Sequence, residues 1–295
     1  MGRLEGKTAL ITGVDNAISV ATAKQFVSEG AYVFITGKND LELTAAIKEI
    51  GTGANGVRVD VSNISDLDRL FSHIERQVDR LDIVFPNASP AELVASSDEM
   101  AKDAASIVND NVKGLFFTVQ KSLPLVADGA SIILNSSIRD DGEATNWLDS
   151  SIGAAVRSFG RTWKTELRNR GIRVNAVSSG CLDSFELSDR TRLKGSSDGR
   201  LRSSSNGVST GRASTVDEIA RNVVFLASDD SSDLTGMELT MNGGIAHLNA
   251  LSDETQSGHV AKLDEVARNV VFLASDESSP ITGIELFVNG CIAEL

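Results

Sequence analysis

Short runs of β-branched and aliphatic residues alternate with longer amphipathic stretches through the first 180 residues of the chain. Residues 7–12, 32–36, 57–61, 81–85, 130–135 and 172–177 are predicted strands. Several are apolar throughout, as strands must be when both sheet faces are covered. Residues 21–30, 40–50 and 64–78 between them carry helical periodicity. Alternation at this spacing predicts βαβ units with right-handed crossovers, and so an α/β fold with a doubly wound parallel sheet. Such sheets bind ligands at the carboxyl ends of their strands, near the point where strand order reverses.

The pattern changes after Phe185. Residues 187–213 are mostly Ser, Gly, Arg and Asp, with too few apolar side chains to bury much, and a flexible surface segment is expected. A repeat follows: residues 216–248 match residues 263–295 at an offset of 47, with 23 of 33 positions identical. Each copy reads as a helix ending near Ala-Ser-Asp, a turn, and a strand reaching Asn-Gly. Two copies are too few for a solenoid. The expected organisation is one domain over residues 1–248, with 186–213 as a flexible substrate-loop region, and a second copy of the terminal helix–strand unit over 249–295. One copy should complete the sheet; the second strand sequence, residues 281–290, looks closer to the family named below.

Composition narrows the function classes. Net charge is −13, from 28 basic and 41 acidic residues, which disfavours a nucleic-acid partner because phosphate neutralisation needs clustered Lys and Arg. No run approaches the roughly 20 apolar residues of a membrane helix, and the start of the chain has no signal-peptide pattern, so a cytoplasmic location is expected. Cys181 and Cys291 stand outside any CxxC pattern, and His73, His247 and His259 have no ligand spacing, so no metal site is expected.

Thr12-Gly-Val-Asp-Asn-Ala-Ile-Ser19 lies between a predicted strand and helix, where a dinucleotide-binding turn belongs. Together with Ile172-Arg-Val-Asn-Ala-Val-Ser178 and Ala154-Ala-Val-Arg-Ser-Phe159, it makes the chain resemble the short-chain dehydrogenase/reductase family over residues 1–248. The resemblance implies a Rossmann fold and a nicotinamide cofactor across the strand ends. Cofactor contacts would fall on Gly13, Asn16, Ile18, Lys38, Asp60, Val61, Asn87, Ala88 and Gly180. Lys38 follows Thr36-Gly37 with no acid placed for a ribose 2′-hydroxyl, so the implied preference is NADP, and a solvated lysine is the plainer alternative. Ser137 would hydrogen-bond the substrate oxygen, and Asn111 would steady the helix and a proton-relay water.

The family's catalytic Tyr and Lys are replaced. Counting from residues 154–159 puts Asp149 at the tyrosine position and Gly153 at the lysine position, and the single tyrosine of the chain, Tyr32, belongs to the second strand. An aspartate, with a reference pKa of about 4 against about 10 for tyrosine, has no proton to give at neutral pH unless burial raises it. Ala17 and Ser19 also stand where the turn would have its second and third glycines, with Ser19 the larger offence, which predicts weakened cofactor binding. The leading expectation is a family member without alcohol/carbonyl oxidoreductase activity, acting as a binding module or as an oligomer subunit, with itself or with an active relative. Two enzymatic alternatives stand beside it: an NADP-dependent oxidoreductase with an unusual proton donor, and a non-redox lyase or isomerase using Asp149. The substrate is not legible.

Overall fold

The structure, a computed structural model, describes residues 2–88, 106–137, 147–179, 214–241, 248–250, 263–275 and 278. The first half alternates strand and helix: β1 (Thr8–Ile11), α1 (Ala17–Ser28), β2 (Tyr32–Gly37), α2 (Asp40–Ile50), β3 (Ala54–Arg58), α3 (Ile64–Glu75) and β4 (Leu81–Phe85). After the two-residue β5 (Asn87–Ala88) come α4 (Gly114–Ser122), β6 (Val126–Ser137), α5 (Trp147–Glu166) and β7 (Arg173–Ser179). The chain closes with α6 (Val216–Ala227), β8 (Met237–Met241), β9 (Leu248–Ala250) and α7 (Leu263–Ala274).

The strands form one nine-stranded sheet in the order β3-β2-β1-β4-β6-β7-β8-β9, with β5 paired to β6. Pairing is parallel until the last strand, where β9 runs antiparallel to β8. The doubly wound parallel sheet expected from the hydrophobic pattern is therefore present. Order reverses around β1, which pairs with β2 on one side and β4 on the other, and this puts the switch point at the end of β1. Alternate strand residues feed two cores. Ile11, Val33, Ile35, Phe85, Ile133 and Val177 join α1, α2 and α6, while Leu10, Phe34, Val84, Ile132, Leu134 and Val174 face α3, α4 and α5. That split follows from the two-residue side-chain period of a strand.

Several boundaries differ from expectation. The third strand is Ala54–Arg58, three residues earlier than predicted, because Gly53 and Gly56 let it lie against Val27, Leu43 and Ile47 of the neighbouring helices. Val59 then bonds Gly37 through its amide at 3.0 Å, as the chain leaves the sheet toward Asp60. The sixth strand extends four residues earlier than its apolar centre, and α1 begins at Ala17, where Asn16 caps it.

The first tail copy supplies the sheet: β8 pairs with β7 from Ala176↔Glu238 to Ser179↔Met241. The strand of the second copy and the segment 186–213 lie outside the described residues. No helix among the described residues is long and apolar enough to cross a membrane.

Candidate functional site

The carboxyl end of β1 leads into a turn held from three sides. Gly13 takes a φ of +83°, a conformation that glycine reaches without strain. Its amide and that of Val14 donate to the Thr36 carbonyl at 3.1 and 2.9 Å, which ties the turn to β2. Gly37 allows the approach, since a Cβ there would lie 2.5 Å from Val14 Cγ2. Asn16 then starts α1, and its Oδ1 accepts from the Ile18 amide at 2.8 Å.

Ser19 is fully buried and satisfied. Its hydroxyl donates to the Thr12 carbonyl at 3.0 Å and accepts from Asn87 Nδ2, which also reaches the Thr12 carbonyl at 3.2 Å. The Asn87 backbone amide donates to the Thr12 hydroxyl at 2.9 Å, and Asn87 Oδ1 accepts from Asn135 Nδ2. The serine at the third glycine position joins a polar cluster linking β1, α1, β5 and β6. A buried polar group is tolerated when its hydrogen bonds are made, and those of Ser19 and Asn87 are, while Asn135 Oδ1 is left without a partner. Thr12 and Asn135 were not among the sequence candidates, because the cluster forms only when the strand ends come together.

Lys38, Asp60 and Val61 gather at the neighbouring strand ends. Lys38 Nζ lies 2.8 Å from Asp110 and 3.4 Å from Asp60. Burial pulls the ammonium down, but the hydrogen bond and charge of Asp110, with Asp60 behind it, outweigh this and hold Lys38 above its ordinary value. Asp60 accepts from the Ser62 hydroxyl and amide at 2.7 and 2.9 Å. Burial raises that carboxyl, yet the Ser62 bonds and Lys38 overcome it, and the net direction is down. Asp110 has no sequence signal toward Lys38, 72 residues away.

Asp110 and Asn111 sit in a π-helical turn, Asn109–Lys113, which precedes α4. The Gly114 amide reaches back five residues to the Asn109 carbonyl, and Asn111 is buried. Single π turns inside helices are frequent at functional sites. Gly114 brings the turn against the Asp60–Val61 corner, since a Cβ there would fall 2.8 Å from Val61 Cγ2. Ala88 is buried beside them, at the end of β5.

Asp149 and Gly153 lie on α5. Asp149 is in its first turn, and Gly153 is buried one turn later on the helix that packs against β6 and the π turn. Ser137 ends β6, in register with Ser179 of β7. The fold thus gathers the elements carrying Ser137, Asn111, Asp149 and Gly153 at one end of the sheet, while Gly180 falls outside the described residues. Tyr32 opens β2 at the opposite end, about 17 Å from the Gly37 end by the rise of an extended strand. There it packs edge-on against Phe34. Lys164 lies roughly 16 Å along the helix from Gly153 and packs by Gly236, where burial lowers its pKa.

A nicotinamide dinucleotide, implied by the resemblance, needs free helix-start amides for its pyrophosphate. Here Asn16 already holds the Ile18 amide, the Asp15 carboxylate stands 2.9 Å from where a Gly13 Cβ would be, and Lys38 is engaged by two carboxylates. As arranged, these donors do not fit the group: binding would have to displace Asn16 and bring phosphate beside an anion.

Comparison with known proteins bears on the whole of this arrangement. The model of a family described as enoyl-(acyl carrier protein) reductase matches residues 13–246. Oxidoreductase asL5 of Sarocladium schorii is 34% identical over 249 residues, 83% of this chain and 98% of its own length. The 3-oxoacyl-(acyl-carrier-protein) reductase FabG of Thermotoga maritima is 32% identical over 254 residues, 82% of this chain and 99% of its own. A solved short chain dehydrogenase/reductase family protein has a TM-score of 0.69 at 29% identity, over 82% of this chain and 98% of that one. A short-chain type dehydrogenase/reductase from Mycobacterium ulcerans, at 23% identity, shares the fold with a TM-score of 0.71 over 83% of this chain and 90% of its own. Since the family match runs from the turn glycine to beyond β8 and the relatives align over nearly their full lengths, the chain belongs to the short-chain dehydrogenase/reductase family, whose members generally bind NAD(P).

Proposed function

We propose that this chain is a short-chain dehydrogenase/reductase that no longer turns over a nicotinamide cofactor and serves as a binding module or a non-catalytic subunit. The reading rests on α5, where Asp149 and Gly153 stand a turn apart at the positions that the family resemblance assigns to its Tyr and Lys. Proton transfer by a positioned acid is worth roughly 10²–10⁴-fold, and residues that act as a unit lose most of it together. The capped Ile18 amide and the engaged Lys38 add weight, because both withdraw donors from a dinucleotide. The same pairing argues against a preference for NADP resting on Lys38.

Purified protein incubated with NADH or NADPH and a broad alcohol and carbonyl panel is expected to show no turnover above background. Robust turnover would sink the reading. Titration with NADPH, followed by tryptophan emission, gives the binding half of the test. Trp163 is buried against Phe116 and Phe159, so a change would report on Trp147, two residues before Asp149.

A second reading, an NADP-dependent oxidoreductase with a non-standard proton donor, is favoured by the buried Asn111 in its π turn beside Val61. It predicts micromolar NADPH affinity, and absence of binding at millimolar cofactor removes it.

A further inference from the structure

The helices of the two tail copies carry the nine residues RNVVFLASD without a difference, at 221–229 and at 268–276. Their surroundings are opposite. In α6, Val223, Val224 and Leu226 are 0%, 1% and 3% exposed, seated in the core shared with Val20, Ala23, Phe26, Ile133 and Val177. In α7 the equivalent Val270, Val271 and Leu273 are 59%, 68% and 38% exposed. An apolar face of this kind is open on one copy, and the other copy shows what covers it.

The polar anchors of that berth are also generic. Ser131 Oγ and Arg173 Nη1 donate to the Leu226 carbonyl at 2.7 and 2.8 Å, and Arg173 Nη2 donates to the Ser228 carbonyl at 3.1 Å. Arg173 Nη1 also meets Ser231 Oγ at 2.8 Å. The second copy carries each acceptor at the matching position: the carbonyls of Leu273 and Ser275, and the hydroxyl of Ser278. The helices meet through one equivalent pair, Phe225 and Phe272, with rings stacked at 3.9 Å and 1° apart. Because each copy contributes the same residue, exchanging the copies preserves that contact.

From these observations we infer that α6 and α7 are alternative occupants of a single berth on α1, β6 and β7, and that the exposed Val270/Val271/Leu273 face is the docking face of the second. Exchange reverses no strand direction, since both copies follow β7 in the same helix-then-strand order of sequence. The first copy holds the berth at rest because of its start. Thr215 Oγ1 accepts from the Glu218 amide at 3.2 Å while Glu218 Oε2 accepts from the Thr215 amide at 2.9 Å, a reciprocal cap. Lys262 stands at the matching position of the second copy and has no side-chain acceptor.

The test uses full-length protein. Val224→Asp puts a carboxylate into the berth from the first copy; the second copy takes over, and the protein keeps a cooperative melt within a few degrees of the unsubstituted chain. Val271→Asp alone leaves the melt unchanged. The double variant has no apolar occupant and loses the transition. Hydrogen exchange on Val224→Asp supplies the positional readout, with protection moving from 216–227 to 263–274. Unfolding of Val224→Asp as complete as that of the double variant overturns the inference, and so does a double variant that stays folded. A concentration-dependent dimer abolished by Val271→Asp, with protection unmoved in Val224→Asp, assigns the face to a second chain and overturns it too.

Discussion

Asn16 holds two jobs in opposition. As the residue before α1 it caps the helix through the Ile18 amide, and such caps are worth about 1 kcal/mol against alanine. The same amide is the donor that a helix start offers to an anion. Asn16→Ala is therefore expected to lower stability by about 1 kcal/mol in urea unfolding while tightening NADPH binding by calorimetry. A variant that loses stability without any gain in affinity would show that the cap does not guard the turn. The cap itself was legible from sequence, because Asn before an apolar periodic stretch marks a helix start. Its competition with a ligand was not, since nothing local says which acceptor an amide will choose. Ser19 makes the converse point. Position in a glycine pattern marked it as a steric fault, and only the approach of Asn87, 68 residues on, turns it into a hydrogen-bonding partner.

Elements were easiest to place where one physical signal dominated. β4 and α2 match their expected bounds, the first a continuous apolar run and the second an amphipathic stretch between Asn39 and Gly51. β3 slipped because its strand is marked by glycines that let helices close in, while the apolar residues after it belong to the exit from the sheet. The π turn around Asn111 has no propensity signature, and neither does the ion pair it brings to Lys38. β8 carries a different consequence. Glu238 is buried on this strand with Arg157 Nη1 at 3.5 Å. Burial raises its carboxyl above the ordinary value, against the pull of Arg157 and Arg161. A folded-state value above the unfolded one means that this residue's stabilisation is complete below the unfolded value of 4.5 and is lost as pH rises through the raised one. Glu238→Gln is expected to flatten that part of the stability profile and to melt higher than the parent chain at neutral pH. Thermal melts of both proteins from pH 4 to 8 would show an unchanged slope if the carboxyl stays solvated.

Across the molecule, stability should be uneven between two stretches of almost identical sequence. α6 is sealed between α1 and the sheet, while among its described side chains α7 touches the rest through Phe272 and the Arg268 bond to Ser232 at 3.2 Å. Local opening free energy follows buried apolar contact. Native-state hydrogen exchange should release residues 263–274 well before 216–227, and the shared sequence removes differences in intrinsic rate. Equal protection would contradict the exposed face on α7. Which copy completes the sheet was not legible, because the strand of the second copy looks closer to the family. The two copies differ at the helix start as well, where the first has the capping Thr215 and the second has Lys262 in sequence.

The three residues of β9 alter what the last strand of the sheet can do. A parallel sheet ending at β8 would offer a row of open amides and carbonyls to any passing strand, the usual template for edge-to-edge aggregation. Among the described residues, Leu248–Ala250 covers Met237–Leu239 in antiparallel register and substitutes an edge three residues long. So short an edge offers little to build on, which protects a chain that carries a spare copy of its own terminal strand sequence against cross-pairing with its neighbours.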